Sequence, residues 1–146
     1  MLELALCFTA FLLLTIGSME FGWGIYAYNL CAASAQDAGR WASVRGSHSS
    51  TPAALADIQA YVQSEAVGLD PSLLTVTVTW MTTSTWTSTC STSDSPITCS
   101  TTTPTGFNDP GDYVVVTVNY IIKPLAGLAL KQNINVSSTS QYVISN

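Results

Sequence analysis

Few side chains in this sequence are of the types that carry out chemistry. The single histidine, His48, stands in a Gly/Ser segment beside Ser47 and Ser49. A serine nucleophile needs a base that the fold brings to it, and adjacency along the chain does not supply that geometry. Nucleophile-elbow, phosphate-loop, dinucleotide-binding and zinc-protease motifs do not occur in the sequence. We therefore expect a protein that is not an enzyme and that holds no cofactor or metal.

The four cysteines fall into two groups. Cys90 and Cys99 stand in a polar, Ser/Thr-rich segment, and we interpret them as a disulfide that closes a short loop in an oxidising compartment. The alternative is a pair of free thiols in an exposed loop. Cys7 and Cys31 lie in the hydrophobic N-terminal segment, where we expect both to be small, buried apolar side chains.

Residues 82–105 form a segment with 17 serine or threonine residues among 24 positions. It is either a long loop or a β-hairpin, in which residues 84–89 pair with residues 97–102 and the Cys90–Cys99 disulfide joins the two strands. Extracellular Ser/Thr tracts often accept O-glycans, and a plain solvated loop is the alternative. The candidate acceptors are Thr82, Thr83, Thr85, Thr101, Thr102 and Thr103.

Charge is scarce in this chain and nothing basic is clustered. Charged residues make up 9% of the sequence and the net charge is −5, whereas ordinary soluble domains carry roughly a quarter charged residues. Nucleic-acid binding needs clustered lysine and arginine, and the four cations here are scattered. Nucleic acid is therefore not expected as a partner.

The N-terminal segment is long and apolar. Residues 4–19 carry no charge, and after Glu20 the next charged residue is Asp37. A bilayer core takes about 20 apolar residues, so this stretch is long enough to cross one. A secretory signal peptide begins with positive charge, whereas this chain begins Met-Leu-Glu. We therefore expect the segment to be retained.

The same segment is predicted to form one long helix, because it contains no proline before Pro52. The pattern reaches about Val44, which gives a helix of about 43 residues and about 65 Å. We expect it to be continuous or gently bent at Gly22 and Gly24. No small globular domain buries such a helix alone, so residues 1–46 are assigned as a transmembrane and assembly helix, surrounded by lipid or neighbouring subunits.

Residues 47–146 are assigned to a C-terminal globular domain. A second, short helix is predicted over residues 52–67, with Thr51 as its N-cap and Gly68 just past its end. Alternation of apolar and polar residues predicts strands at about residues 73–81, 112–122 and 133–145. The fold class is therefore α+β: a long N-terminal hydrophobic helix, a short second helix and a small antiparallel β-sheet packed on the long helix.

The order and spacing of several short motifs resemble a known family. These are Glu3-Leu4-Ala5-Leu6, Met19-Glu20-Phe21-Gly22, Tyr26-Ala27-Tyr28-Asn29, Ala32-Ala33 and Asp37-Ala38-Gly39-Arg40-Trp41-Ala42, followed downstream by Pro110-Gly111-Asp112 and Lys123-Pro124-Leu125. The pattern is similar to TadE-like pilins and pseudopilins of bacterial tight-adherence systems. The resemblance implies a prepilin that a prepilin peptidase cleaves and that assembly machinery extracts from the inner membrane into or beneath a filament.

Glu3 matches the acidic residue that the family carries near its mature N-terminus. A carboxylate among apolar groups is costly unless it is paired. The resemblance implies that Glu3 pairs with the N-terminal ammonium of a neighbouring subunit and sets the axial register of the filament. The alternative is a carboxylate that lies at the membrane surface.

Three hypotheses for function follow. The first is a structural subunit of an extracellular, type IV pilin-like filament, a homopolymer at the cell surface with a role such as adhesion. The second is a minor pseudopilin that stays in the inner membrane and primes or anchors a secretion or pilus machine. The third is a membrane-tethered domain that binds glycans or a receptor, with Trp80 and Trp86 as an aromatic platform.

Overall fold

The computed structural model describes residues 2–81, 108–123 and 133–145. It contains helices α1 (Leu2–Ser43) and α2 (Leu55–Glu65), a short 3-10 helix (Pro71–Leu73), and strands β1 (Leu74–Met81), β2 (Tyr113–Ile122) and β3 (Ile134–Val143). This arrangement confirms the predicted α+β class. The predicted Cys90–Cys99 disulfide, the six candidate glycan-acceptor threonines and Trp86 lie outside the described residues.

Helix α1 runs for 42 residues as one helix and passes through Gly17, Gly22 and Gly24. At 1.5 Å per residue it is about 63 Å long. Within the described chain it is the one helix whose length and apolar composition suit a membrane span. The predicted long apolar helix is therefore confirmed, and its dimensions fit membrane anchoring.

The three strands form an antiparallel sheet in the order β1-β2-β3, with β2 in the centre. Val116 of β2 stands opposite Val78 of β1 and Ser140 of β3. The even-numbered residues of β2 are buried, and the odd-numbered ones are partly exposed. This is the period-two pattern by which the strands were predicted, because successive side chains of a strand point to opposite faces of the sheet.

The C-terminal half of α1 packs on the buried face of β2 and β3. The side chains that it turns toward the core are small and recur every three or four positions: Ala27, Cys31, Ala35, Ala38 and Ala42. Such a stripe lets the helix backbone come close to the sheet. The Ser140 hydroxyl of β3 consequently donates a hydrogen bond to the carbonyl oxygen of Ala35, at 2.5 Å.

Helix α2 packs against α1 and β1, and its Leu55, Ile58 and Val62 are buried. Its predicted start near Pro52 is wrong by three residues. Ala54, the N-cap, has extended backbone angles, and the Ala53 N–H donates to the carbonyl oxygen of Arg45. That tertiary bond holds the chain extended before the helix begins.

The predicted end of α2 is also displaced. The helix stops at Glu65 with Ala66 as its C-cap, two residues before the expected end at Val67. Gly68 has a φ of +91°, so it does take the left-handed conformation that favours glycine. It takes this conformation in the turn beyond the C-cap and does not end the helix directly.

The C-terminal end of β3 is tied to two other parts of the chain. The Ile144 N–H donates to the Asp112 carbonyl at 2.8 Å, and the Gly111 N–H donates to the Ile144 carbonyl at 2.9 Å. The next residue, Ser145, donates its N–H to the carbonyl of Ser43 at 2.9 Å. These bonds join β3 to the start of β2 and to the last residue of α1.

Candidate assembly and membrane surface

The first half of α1 presents large apolar side chains that the rest of the described chain does not cover. We call residues 4–23 the lower segment and residues 27–42 the upper segment of the helix. None of the most hydrophobic stretch of α1 is buried by the described residues, and Leu4, for example, is 77% exposed. The exposed set also includes Leu6, Phe8, Phe11, Leu14, Met19 and Phe21.

The hydroxyl groups of the lower segment form hydrogen bonds within the helix itself. Thr9 donates to the carbonyl of Ala5 at 2.8 Å, Thr15 donates to that of Leu12 at 2.9 Å, and Ser18 donates to that of Thr15 at 2.9 Å. A polar group in lipid or between packed helices must find its partner inside the protein. These residues therefore fit an apolar environment although they are polar.

Glu3 lies in the first turn of α1 and is exposed. A carboxylate at that position also interacts favourably with the positive end of the helix dipole.

Cys31 is buried, as expected, whereas the expectation for Cys7 was wrong, since its side chain is exposed. The reason is that Cys7 lies in the lower segment, where no described element packs against the helix.

Aromatic side chains lie where the lower and upper segments meet. The rings of Trp23 and Tyr26 are 5.6 Å apart, and Tyr28 is exposed as well. The Tyr26 hydroxyl donates to the carbonyl of Val67 at 3.1 Å. The loop that follows α2 is thereby fixed to α1 at the point where the large apolar side chains give way to small ones.

A second group of aromatic residues lines a shallow surface groove near the far end of α1. Trp41 and Tyr61 stack with ring centroids 5.4 Å apart, and the Arg45 guanidinium lies 4.0 Å from the Trp41 ring centroid. Such a cation–π contact is worth about 0.5–1 kcal/mol at exposed sites. The groove has a volume of about 500 Å³ and is also lined by Asp57, and the stack fixes α2 against α1.

Trp80 does not form the surface platform of the third hypothesis. Its side chain is 2% exposed and belongs to the hydrophobic core. The alternation along β1 explains this position, because Trp80 is on the same face of the strand as the buried Val76 and Val78. Its partner in that hypothesis, Trp86, lies outside the described residues. In the described part of the chain, no cluster of His, Cys, Asp or Glu side chains is arranged to hold a metal ion.

The N-terminal part of the chain matches a known family. Residues 1–40 match the family model described as TadE-like protein. This N-terminal segment is TadE-like. The match confirms the resemblance for the motifs up to Arg40, whereas the downstream motifs at residues 110–112 and 123–125 lie outside it. It covers nearly all of α1, both the uncovered lower segment and most of the packed upper segment. No curated protein and no solved structure matches the chain closely enough to count as a relative.

Three contacts of this surface were not predicted from sequence. Arg45 and Trp41 are four residues apart, so their pairing follows from helical spacing, provided that the helical turn continues past Ser43. The stacking of Tyr61 on Trp41, and the bond from Tyr26 to Val67, join residues far apart in sequence. Local sequence patterns carry no information about such pairs.

Proposed function

We propose that this chain is a structural subunit of an extracellular, type IV pilin-like filament, of the kind that tight-adherence systems build. Subunits polymerise through the lower segment of α1, and the sheet domain faces outward. The observation that supports this most directly is the lower segment itself. Glu20 is its one charged residue, and the rest of the described chain buries none of its most hydrophobic stretch.

The lower segment needs an apolar environment both before and after assembly. Leaving it in water costs about 25 cal/mol for each Å² of apolar surface, so it resides in the inner membrane until it joins a filament of identical subunits. Lipid and packed helices are similarly apolar, so transfer between them has little hydrophobic driving force. Packing between helices and pairing of charges must then provide the specificity of assembly.

Glu3 supplies that charge pairing in this proposal. Its carboxylate meets the N-terminal ammonium of a neighbouring subunit, and each would be costly to bury alone. A prepilin peptidase and the assembly machinery are the further partners. The subunit has no enzymatic role and binds no nucleic acid. Its final location is the cell surface.

The test is to shear the cell surface, pellet the released material, and examine it by electron cryomicroscopy and mass spectrometry. We expect thin helical filaments in which this chain dominates. Glu3→Gln should abolish filaments while leaving the amount of subunit in the membrane unchanged, because the unpaired ammonium no longer finds a carboxylate. Glu65→Gln, at an exposed carboxylate on α2, is the matched control and should assemble normally. Normal filaments from Glu3→Gln would contradict the pairing role.

The second candidate is a minor pseudopilin that stays in the inner membrane and primes or anchors the machine. The same TadE-like N-terminal segment supports it. Abundance separates the two candidates, since a major subunit dominates the sheared material and a minor one stays in the membrane fraction. The third candidate, a tethered binding domain for glycans or a receptor, loses support because Trp80 is buried.

A further inference from the structure

We propose that the loop after α2 docks on the lipid headgroups of the bilayer before assembly, and so fixes the orientation of the globular domain above the membrane. The docking surface consists of Trp23, Tyr26, Val67 and Gly68, which we call the basal patch. This inference rests on the membrane-resident stage of the proposed function. It adds a second contact with lipid, separate from the spanning helix.

The depth of the basal patch follows from the length of the lower segment. Residues 4–23 rise about 30 Å at 1.5 Å per residue, which equals the thickness of a bilayer's hydrocarbon core. When Leu4 lies at one boundary of the core, Trp23 lies at the other. Tryptophan and tyrosine concentrate at this depth because their rings are apolar and their polar tips reach water.

The loop after α2 is held at the same level. Tyr26 is three residues beyond Trp23, about 4.5 Å farther along the axis, and its hydroxyl bonds to the carbonyl of Val67. Gly68 turns the chain there with its φ of +91°. A Cβ on Gly68 would lie 3.5 Å from the Tyr26 oxygen, so the loop is in close contact with the helix.

Val67 is the apolar residue that this loop presents to its surroundings. It is 72% exposed, and a single exposed valine is ordinary on a protein surface. This one, however, is continuous with a helix whose neighbouring segment is suited to lipid. A membrane surface is therefore the occupant that agrees with its position.

Nearby charges set how deep the loop reaches. Glu65 and Asp70 flank the loop and are both exposed, so burying them in hydrocarbon would be costly. Glu20 lies three residues before Trp23 on the helix, about 4.5 Å along the axis, so it lies close to the same boundary of the core. The contact is therefore shallow and confined to the headgroup region. Carboxylates on both sides also favour a zwitterionic bilayer over an anionic one.

The experiment reconstitutes the full chain in phosphatidylcholine vesicles that contain lipids brominated near the headgroup end of the acyl chains. Val67→Trp adds a fluorophore at the loop. Its matched control is Val44→Trp, at a valine that is 55% exposed just past the distant end of α1. The emission that each substitution adds is obtained by subtracting the parent protein. We expect the added emission of Val67→Trp to be blue-shifted and mostly quenched, and that of Val44→Trp to be neither.

The outcomes separate this inference from the proposed function. If the parent's own tryptophan emission is quenched but the emission added by Val67→Trp behaves like that of Val44→Trp, the docking inference is wrong and the membrane span stands. If the parent's tryptophan emission is not quenched at all, Trp23 is not at the bilayer boundary. Both the docking inference and the membrane span of the proposed function are then wrong. Adding Tyr26→Phe to Val67→Trp should reduce the quenching, because the loop loses its hydrogen bond to the helix. Unchanged quenching would refute the role of that bond.

Discussion

In the lower segment of α1, leucines and phenylalanines point outward on all sides, whereas the upper segment turns alanines, a cysteine and a glycine toward the sheet. One continuous helix therefore serves two environments. Large side chains maximise apolar area where no described element covers the helix, which suits the lipid and neighbouring subunits of the proposed function. Small side chains permit close approach where the neighbour is the chain's own sheet. The residues of the upper segment that face the sheet are apolar like most of the lower segment, and they differ from it in side-chain size.

The largest expected effect comes from truncating a large side chain in the core of the globular domain, in contrast to a large side chain in the lower segment. Trp80→Ala empties a core position and should lower the free energy of unfolding of the domain by about 3–5 kcal/mol. Phe11→Ala, at a side chain that is 62% exposed in the lower segment, should leave domain stability unchanged and weaken filament assembly. Denaturant unfolding of the full chain in detergent, followed by circular dichroism, measures the first effect.

Filament yield from sheared cells measures the second. Equal destabilisation of the domain by Phe11→Ala and Trp80→Ala would contradict the difference between the lower segment and the core. That result would mean that the lower segment packs on the chain's own globular domain.

Glycines give a sharper version of the same comparison. A Cβ built on Gly39 lies 2.6 Å from Cδ2 of Tyr142 and 2.8 Å from the Ser140 hydroxyl, whereas one on Gly22 meets nothing within 4 Å. Gly39→Leu should therefore destabilise the domain by about 1–3 kcal/mol through overpacking. Gly22→Leu should leave the domain's unfolding unchanged in the same denaturant titration. Equal effects from both variants would show that the close approach at Gly39 is unimportant.

Hydroxyl groups in the two regions should also differ. Ser140→Ala removes the hydrogen bond to the Ala35 carbonyl and should cost about 1 kcal/mol of domain stability. Thr9→Ala removes a bond within the lower segment and should not change domain stability. Thermal unfolding of the two variants beside the parent is the measurement, and a neutral Ser140→Ala would contradict the tertiary role of that bond.

The smallest effect concerns Asp70, which lies in the loop between α2 and β1. Ser72 donates its hydroxyl and its backbone N–H to Oδ1 of Asp70, at 2.8 and 2.9 Å, and these bonds lower the pKa of Asp70. A lowered pKa in the folded state means that the carboxylate stabilises the fold above its ordinary pKa. This contribution is lost as the pH falls through the lowered value.

Asp70→Asn should therefore melt slightly below the parent at neutral pH, and the difference should disappear in acid. Melting temperatures across a pH series measure this. A difference that persists or grows at low pH would mean that the charge of Asp70 is not the cause.

Sequence patterns predicted the elements that one buried face controls. The alternation in β2 puts Val114, Val116 and Val118 on one face of the strand, and the structure buries that face, because a slip of one residue would bury the more polar face. The long apolar helix was equally predictable, because its composition leaves it no other place than lipid or packed helices. The TadE-like motifs from Glu3 to Ala42 lie within that helix.

Features that depend on contacts between distant parts of the chain were not predictable. The start of α2 shifted because Ala53 bonds to Arg45, which no local capping pattern reveals. The sequence around Gly39 does not reveal that this glycine is needed for the close approach of Tyr142 to the helix. The role of Glu3 and the Cys90–Cys99 disulfide stay predictions, since the first needs a neighbouring subunit and the second lies outside the described residues.

The bond between Ser145 and Ser43 has a consequence for biosynthesis. These residues are 102 positions apart, so the top of α1 receives its partner only after β3 has been translated. In the membrane-resident stage of the proposed function, the lower segment enters the bilayer first, because it is translated first. The sheet therefore folds onto a helix that is anchored at one end, and it does so through contacts of high sequence separation, which form slowly. A ribosome that stalls before β3 would leave the small-residue face of α1 without one of the two strands that cover it.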